Sequence, residues 1–121
     1  MTIRPPYSAT APADSLHPAF CFKHLDKKLG FPQDKKHRAA ILNTVNILSK
    51  FSWAQIGLER HDGNGYEKIT KLKKVPPIAL RKETPILSFR CSDDGRMIGY
   101  RDQKILYVFW FDWSPFEVYS H

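Results

Sequence analysis

The sequence predicts an α+β domain in which two N-terminal helices pack on a mostly antiparallel sheet that ends in a C-terminal meander. Three observations predict it. First, the last third breaks into three short apolar runs: Ile-Leu-Ser-Phe-Arg-Cys from Ile86, Arg-Met-Ile-Gly-Tyr-Arg from Arg96, and Lys-Ile-Leu-Tyr-Val-Phe-Trp-Phe from Lys104. The tight polar breaks between them are the mark of hairpin-linked strands. Second, Ile41, Leu42, Val45 and Leu48 recur at helical spacing. Third, the final run is apolar on both faces, with Ile105, Tyr107, Phe109 and Phe111 on one and Leu106, Val108 and Trp110 on the other. A strand of that kind belongs inside a sheet with both sides covered, so 104–111 is expected to be the central strand.

In chain order, residues 1–18 hold Pro5, Pro6, Pro12 and Pro18 among small polar neighbours and are expected to form an extended Pro-rich tail. Phe20 and Phe22 alternate with Cys21 and Lys23, giving a first strand over 19–24. Asp34 stands where a carboxylate caps the first turn of a helix. That helix turns Ile41, Leu42, Val45 and Leu48 inward, and Phe51 with them. Ser52 and Gln55 have capping-box spacing and open a short second helix from Trp53 to Leu58. His61-Asp62-Gly63-Asn64-Gly65 is a loop, and 66–70 is a second strand. The basic, proline-bearing stretch 71–85 is an irregular connection. Asp94-Gly95 suits a hairpin in which glycine takes a positive φ, and Asp102-Gln103 makes the next break. Asp112-Trp113-Ser114-Pro115 turns the chain so that 116–119 forms a last short strand beside the aromatic run.

A chain of 121 residues, 42% hydrophobic and 13% aromatic, holds one core, so 19–121 is read as a single domain. No apolar run reaches the roughly 20 residues of a membrane span, and the N-terminus lacks the apolar stretch of a signal peptide. No membrane and a cytoplasmic location follow as expectations. Cys21 and Cys91 read as buried thiols rather than a disulfide. The net charge of +7 points to an acidic partner, either nucleic acid or an acidic protein. Its placement favours nucleic acid. Lys68, Lys71, Lys73, Lys74, Arg81 and Lys82 lie in one connecting segment with no carboxylate among them, a pattern suited to tracking phosphates.

The element order β-α-α-β-meander and the basic surface resemble the RelE/ParE superfamily of bacterial toxins over nearly all of the chain past residue 18. Local matches are Gly99-Tyr100-Arg101, the run 105–111, and Glu117-Val118-Tyr119-Ser120, which is similar to the terminal tyrosine motif of RelE-type ribonucleases. The resemblance implies a RelE-like fold and the toxin of a toxin–antitoxin pair. Such a toxin is a metal-independent endoribonuclease that cleaves mRNA, usually on the ribosome, and is held inactive by a cognate antitoxin. The ParE-like alternative is a non-catalytic protein that binds nucleic acid or inhibits a protein target such as DNA gyrase. The arginine that precedes the terminal tyrosine in RelE-type members is absent here. Arg90, Arg96 and Arg101 are the arginines that could stand for the family's strand arginine.

Metal-free RNA cleavage needs proton transfer and cations for the charge developing on phosphorus. Tyr119, His121, Glu67 and His61 are the candidates for the first task, and Arg90 and Arg101, with Lys73, for the second. Several have a plainer reading. His121 is a frayed end, His61 a solvated loop residue, and Arg96 a hairpin salt bridge to Asp93 or Asp94. Tyr107 and Trp110 either stack on bases or pack in the core. No cofactor and no metal are expected. Cys21-x-x-His24 lacks a second ligand pair, and Asp62-Gly63-Asn64-Gly65 departs from a calcium loop at Tyr66. There is no phosphate-binding glycine loop, dinucleotide fingerprint or nucleophile elbow.

Overall fold

The computed structural model describes residues 12–60, 63–114 and 117–120. A 3-10 turn at Ala13–Ser15 leads into strand β1 (Ala19–Cys21). Helices α1 (Lys35–Leu48) and α2 (Trp53–Leu58) follow, then strands β2 (Tyr66–Ile69), β3 (Ile86–Arg90), β4 (Arg96–Asp102) and β5 (Ile105–Asp112). The five strands form one sheet in the order β1-β5-β4-β3-β2. Pairing is antiparallel from β2 through β5, while β1 runs parallel to β5, with Ala19 opposite Ile105 and Cys21 opposite Tyr107.

This is not the RelE-like plan of two N-terminal helices on an antiparallel sheet. The first strand stands where it was expected, but it joins the sheet in parallel so that the sheet is mixed, and α2 has only 6 residues. The reason is the edge of β5. An apolar strand with one edge unpaired is a template for another strand, and Ala19–Cys21 fills it in the parallel sense that a long crossover allows. The sheet is still mostly antiparallel. β4, not β5, is the middle strand.

Local chemistry sets the helix boundaries. The Asp34 carboxylate accepts the His37 N–H at 3.1 Å and starts α1. Ser52 and Gln55 form the reciprocal capping box of α2, at 3.2 and 2.8 Å. Ile41, Thr44 and Leu48 form the buried stripe of α1. Leu42, expected inside, is 71% exposed, because it stands about 100° round the helix from Ile41.

Two apolar clusters flank the sheet. One gathers Ile41, Leu48, Trp53 and Ile56 with Leu87, Phe89, Met97, Leu106, Val108 and Phe111. The other holds Ile69, Ile86, Ile98, Phe109, Trp110, Val118 and Tyr119, with Leu29, Leu72, Ile78, Leu80 and Tyr100 packed against it. The expected division of β5 into 105/107/109/111 and 106/108/110 therefore fails. The ladder steps from Ile98 opposite Trp110 to Gly99 opposite Val108, so Phe109 is an extra residue. This bulge moves Phe111 onto the face of Leu106 and Val108. Gly99 permits it, since a Cβ there would lie 2.0 Å from the Tyr107 carbonyl oxygen.

The turns also differ from expectation. Gly95 does not have a positive φ. Its lack of a side chain makes room for the Trp113 ring, which a Cβ would meet at 2.0 Å. The left-handed residue is Gln103, at φ 55°, in the turn after β4.

Of the expected tail, residues 1–11 lie outside the described residues, and 12–18 are tied to the body. The Trp53 N–H donates to the Leu16 carbonyl at 3.0 Å, and the His17 ring bonds the Ser49 carbonyl at 2.7 Å. Among the described residues no helix is long and apolar enough to cross a membrane.

Candidate nucleic-acid interface

The segment after β2 is irregular but anchored. Leu72 forms an antiparallel bridge with Tyr119. The Lys73 N–H donates to the Val118 carbonyl at 2.7 Å, and the Ser120 N–H donates to the Lys71 carbonyl at 3.0 Å. The C-terminal residues thus pair with 71–73, not with β5 as expected; Phe116 lies outside the described residues. Alternation along an extended segment turns Leu72 toward the sheet and leaves Lys71 and Lys73 exposed. Ile78 and Leu80 make two further anchors on the same apolar cluster. Lys68, Arg81 and Lys82 are exposed and Lys74 is half-buried. Among the described residues, none of these six cations has a carboxylate partner. Their charge faces outward from a fixed backbone.

Among the described residues, the expected catalytic residues do not gather into one site. Arg90 pairs with Arg96 across the β3–β4 hairpin. Arg101 stands five residues further along β4, about 17 Å at the usual strand rise. Arg101 is also engaged. It pairs with Asp14, donates Nε to the Gln103 carbonyl at 2.6 Å, and lies 4.4 Å from the centre of the Trp53 ring. Arg90 lines a cleft of about 190 Å³ together with Asn43, Thr44, Asn64, Cys91 and Asp93, and its buried Nε has no hydrogen-bond partner. Burial pushes the Cys91 thiol there up to about 12, an effect reduced by the Thr44 hydroxyl and by Arg96. That thiol is a poor nucleophile at neutral pH. Both cysteines are free.

Glu67 and Tyr119 do converge. Glu67 is the register partner of Ser88, whose Oγ lies 3.3 Å from the Tyr119 hydroxyl. Tyr119, however, is only 2% exposed. His61 and His121 lie outside the described residues. Arg96 bonds the carbonyls of Ser92 and Gly95, at 3.4 and 2.8 Å, rather than the hairpin carboxylates. Among the described residues no three His, Cys, Asp or Glu side chains group in a way that would hold a metal.

Two roles escaped the sequence reading, which took Asp112 only as part of a turn and Tyr100 only as part of a local match. Asp112, 2% exposed, accepts the N–H groups of Ser114 and Val118, each at 3.0 Å, and directs the return of the C-terminus. Its signal is the Asx-turn spacing of Asp112-Trp113-Ser114. Tyr100 stacks on Tyr107, with ring centres 5.0 Å apart and planes 15° apart. Only the register of β4 against β5 reveals that pair. Trp110, the other expected stacking residue, is 1% exposed and belongs to the core.

Comparisons with family models, curated proteins and solved structures found no match to this chain.

Proposed function

We propose that the chain binds nucleic acid through the basic connection between β2 and β3. One observation carries this reading: six cations, Lys68 at the end of β2 and five in the connection, have no carboxylate partner among the described residues, and the backbone beside them is held by the Leu72–Tyr119 bridge. Unpaired surface charge at fixed positions can displace counterions from a phosphate chain without first breaking its own ion pairs. A cytoplasmic setting goes with this reading, since two free thiols suit a reducing compartment.

The test is the salt dependence of binding. Changing Lys71, Lys73 and Lys74 together to alanine should weaken binding to every sequence. If all three meet phosphates of a single strand, the slope of log affinity against log salt should fall by about 2, at about 0.7 per contact. An unchanged slope rejects the interface.

A second reading, a metal-independent endoribonuclease of a toxin–antitoxin pair acting on mRNA, has one supporting observation. Glu67, Ser88 and Tyr119 meet on one face, with Lys71 and Lys73 flanking the residue that pairs with Tyr119. The burial of Tyr119 weighs against its hydroxyl reaching a phosphate. Tyr119→Phe separates the two readings. A tenfold loss of RNA cleavage, about 1.4 kcal/mol of barrier, with an unmoved melting temperature supports the nuclease. A lower melting temperature with binding intact makes the hydroxyl structural. An antitoxin, or any other acidic protein partner, would compete with nucleic acid for the same lysines.

A further inference from the structure

Tyr100 and Tyr107 face each other across β4 and β5 as register partners, and both rings are half-buried rather than sealed in. Near-parallel rings 5.0 Å apart form a two-membered stack, with Tyr100 at the partly buried margin of the apolar cluster on this face. Phe109, fully buried, supports Tyr100 from below at 5.4 Å. Beyond Tyr107 lie two groups suited to a nucleotide. The His24 ring centre is 5.9 Å from that of Tyr107, and Lys23 Nζ is 5.9 Å from the same ring. That distance is the outer limit of a cation–π contact, so the ammonium is weakly held and can turn to a phosphate. On the β3 side, the turn from Arg81 to Thr84 ends just before Ile86, the register partner of Tyr100. Lys23 therefore stands beside the ring pair, and Arg81 and Lys82 lie five and four residues before the strand position that faces Tyr100. The phenol of Tyr100 is raised above its ordinary range, first by lost hydration and then by Tyr107 and Asp102 beside it. It stays neutral at physiological pH and does not repel a phosphate.

We propose that Tyr100 and Tyr107 are a base-stacking platform, so that the ligand of the basic connection is a single strand rather than a duplex. This rests on the nucleic-acid reading above and adds its substrate class. A base adds a further ring to the tyrosine stack while its phosphates reach Lys23 on one side and Arg81 or Lys82 on the other. Paired bases in a duplex are stacked on each other and cannot do this, whereas the unstacked bases of a single strand can. The contact recognises no base edge, so it is tolerant of sequence.

The test uses the unaltered chain and three probes at equal ionic strength: a short oligothymidine, an abasic strand of the same length, and a duplex. The expected result is that the oligothymidine binds about tenfold to a hundredfold more tightly than the abasic strand. Tyr107→Leu should remove most of that advantage and Tyr107→Phe should restore it, with affinity for the abasic strand unchanged in both. Equal binding of all three probes overturns the platform while leaving the phosphate interface standing. No binding of any probe at low salt overturns both.

Discussion

Asp112 gives both carboxylate oxygens to backbone donors, one to Ser114 and one to Val118. Val118 and Tyr119 are then set down on the sheet at 0% and 2% exposure. Asp112→Ala leaves the buried Val118 N–H without an acceptor, and a buried unsatisfied donor costs about 1–3 kcal/mol. With the Ser114 bond lost as well, the expected destabilisation is about 2–4 kcal/mol by urea unfolding. Asp112→Asn keeps one carbonyl oxygen and should cost roughly half as much. The loss should also reach function, because 118–120 holds the backbone of Lys71 and Lys73 in place. Affinity for single strands should therefore fall in Asp112→Ala although no cation has been touched. An alanine variant as stable as the parent would show that the return of the C-terminus does not depend on this carboxylate.

At the scale of elements, the helices were legible and the sheet was legible only in part. Caps are local: Asp34 reaches three residues ahead to His37, and Ser52 three residues ahead to Gln55, so spacing in the sequence is spacing in space. The bulge at Phe109 is not local. Strict alternation assigns Phe109 and Phe111 to one face, and only the pairing of Ile98 with Trp110 and Gly99 with Val108 reveals the extra residue. The closure by β1 joins Ala19 to Ile105, and although alternation marks 19–24 as a strand, nothing in either segment shows that the two pair in parallel. The tyrosine pair was hidden for the same reason.

The α1 cap makes a prediction at this scale. The Asp34 carboxyl is held below its ordinary 3.8, chiefly by the His37 N–H it accepts, against a smaller opposing loss of hydration, and then by the His37 ring. A carboxyl depressed in the folded state contributes stability that is present above 3.8 and is lost as pH falls through its folded value. Helicity should thus drop in acid. Asp34→Ser, which caps without titrating, should flatten that part of the acid-denaturation curve while keeping helix content near neutrality. An unchanged acid limb would place the loss elsewhere.

Across the whole molecule, Arg101 joins parts that are far apart in sequence. It belongs to β4, pairs with Asp14 in the N-terminal segment, stacks on Trp53 of α2, and bonds Gln103 in the turn before β5. The sequence placed it among the candidate catalytic arginines because an arginine in a meander strand beside a terminal tyrosine fits phosphate chemistry. What the sequence could not show is that Arg101 lies over the helix-side cluster, while Tyr119 belongs to the cluster on the other face. Arg101 lies on the face of β4 that carries Met97, whereas Tyr119 returns onto the face of Ile98 and Tyr100, and only the folded sheet shows which face the C-terminal segment covers. The energies follow from exposure. Asp14 is 69% exposed, so that ion pair is worth at most about 1 kcal/mol. The guanidinium, 23% exposed over the indole, adds about 0.5–2 kcal/mol. Arg101→Ala should therefore lower stability by about 1–2 kcal/mol, and Asp14→Ala by less than half of that. In the double variant the two losses should not add, since Asp14 has little left to hold once the guanidinium is gone. Affinity for a single strand should stay within twofold of the parent, because Arg101 faces away from Tyr100, Tyr107 and the basic connection. A large loss of binding with stability unchanged would instead return Arg101 to the phosphate site.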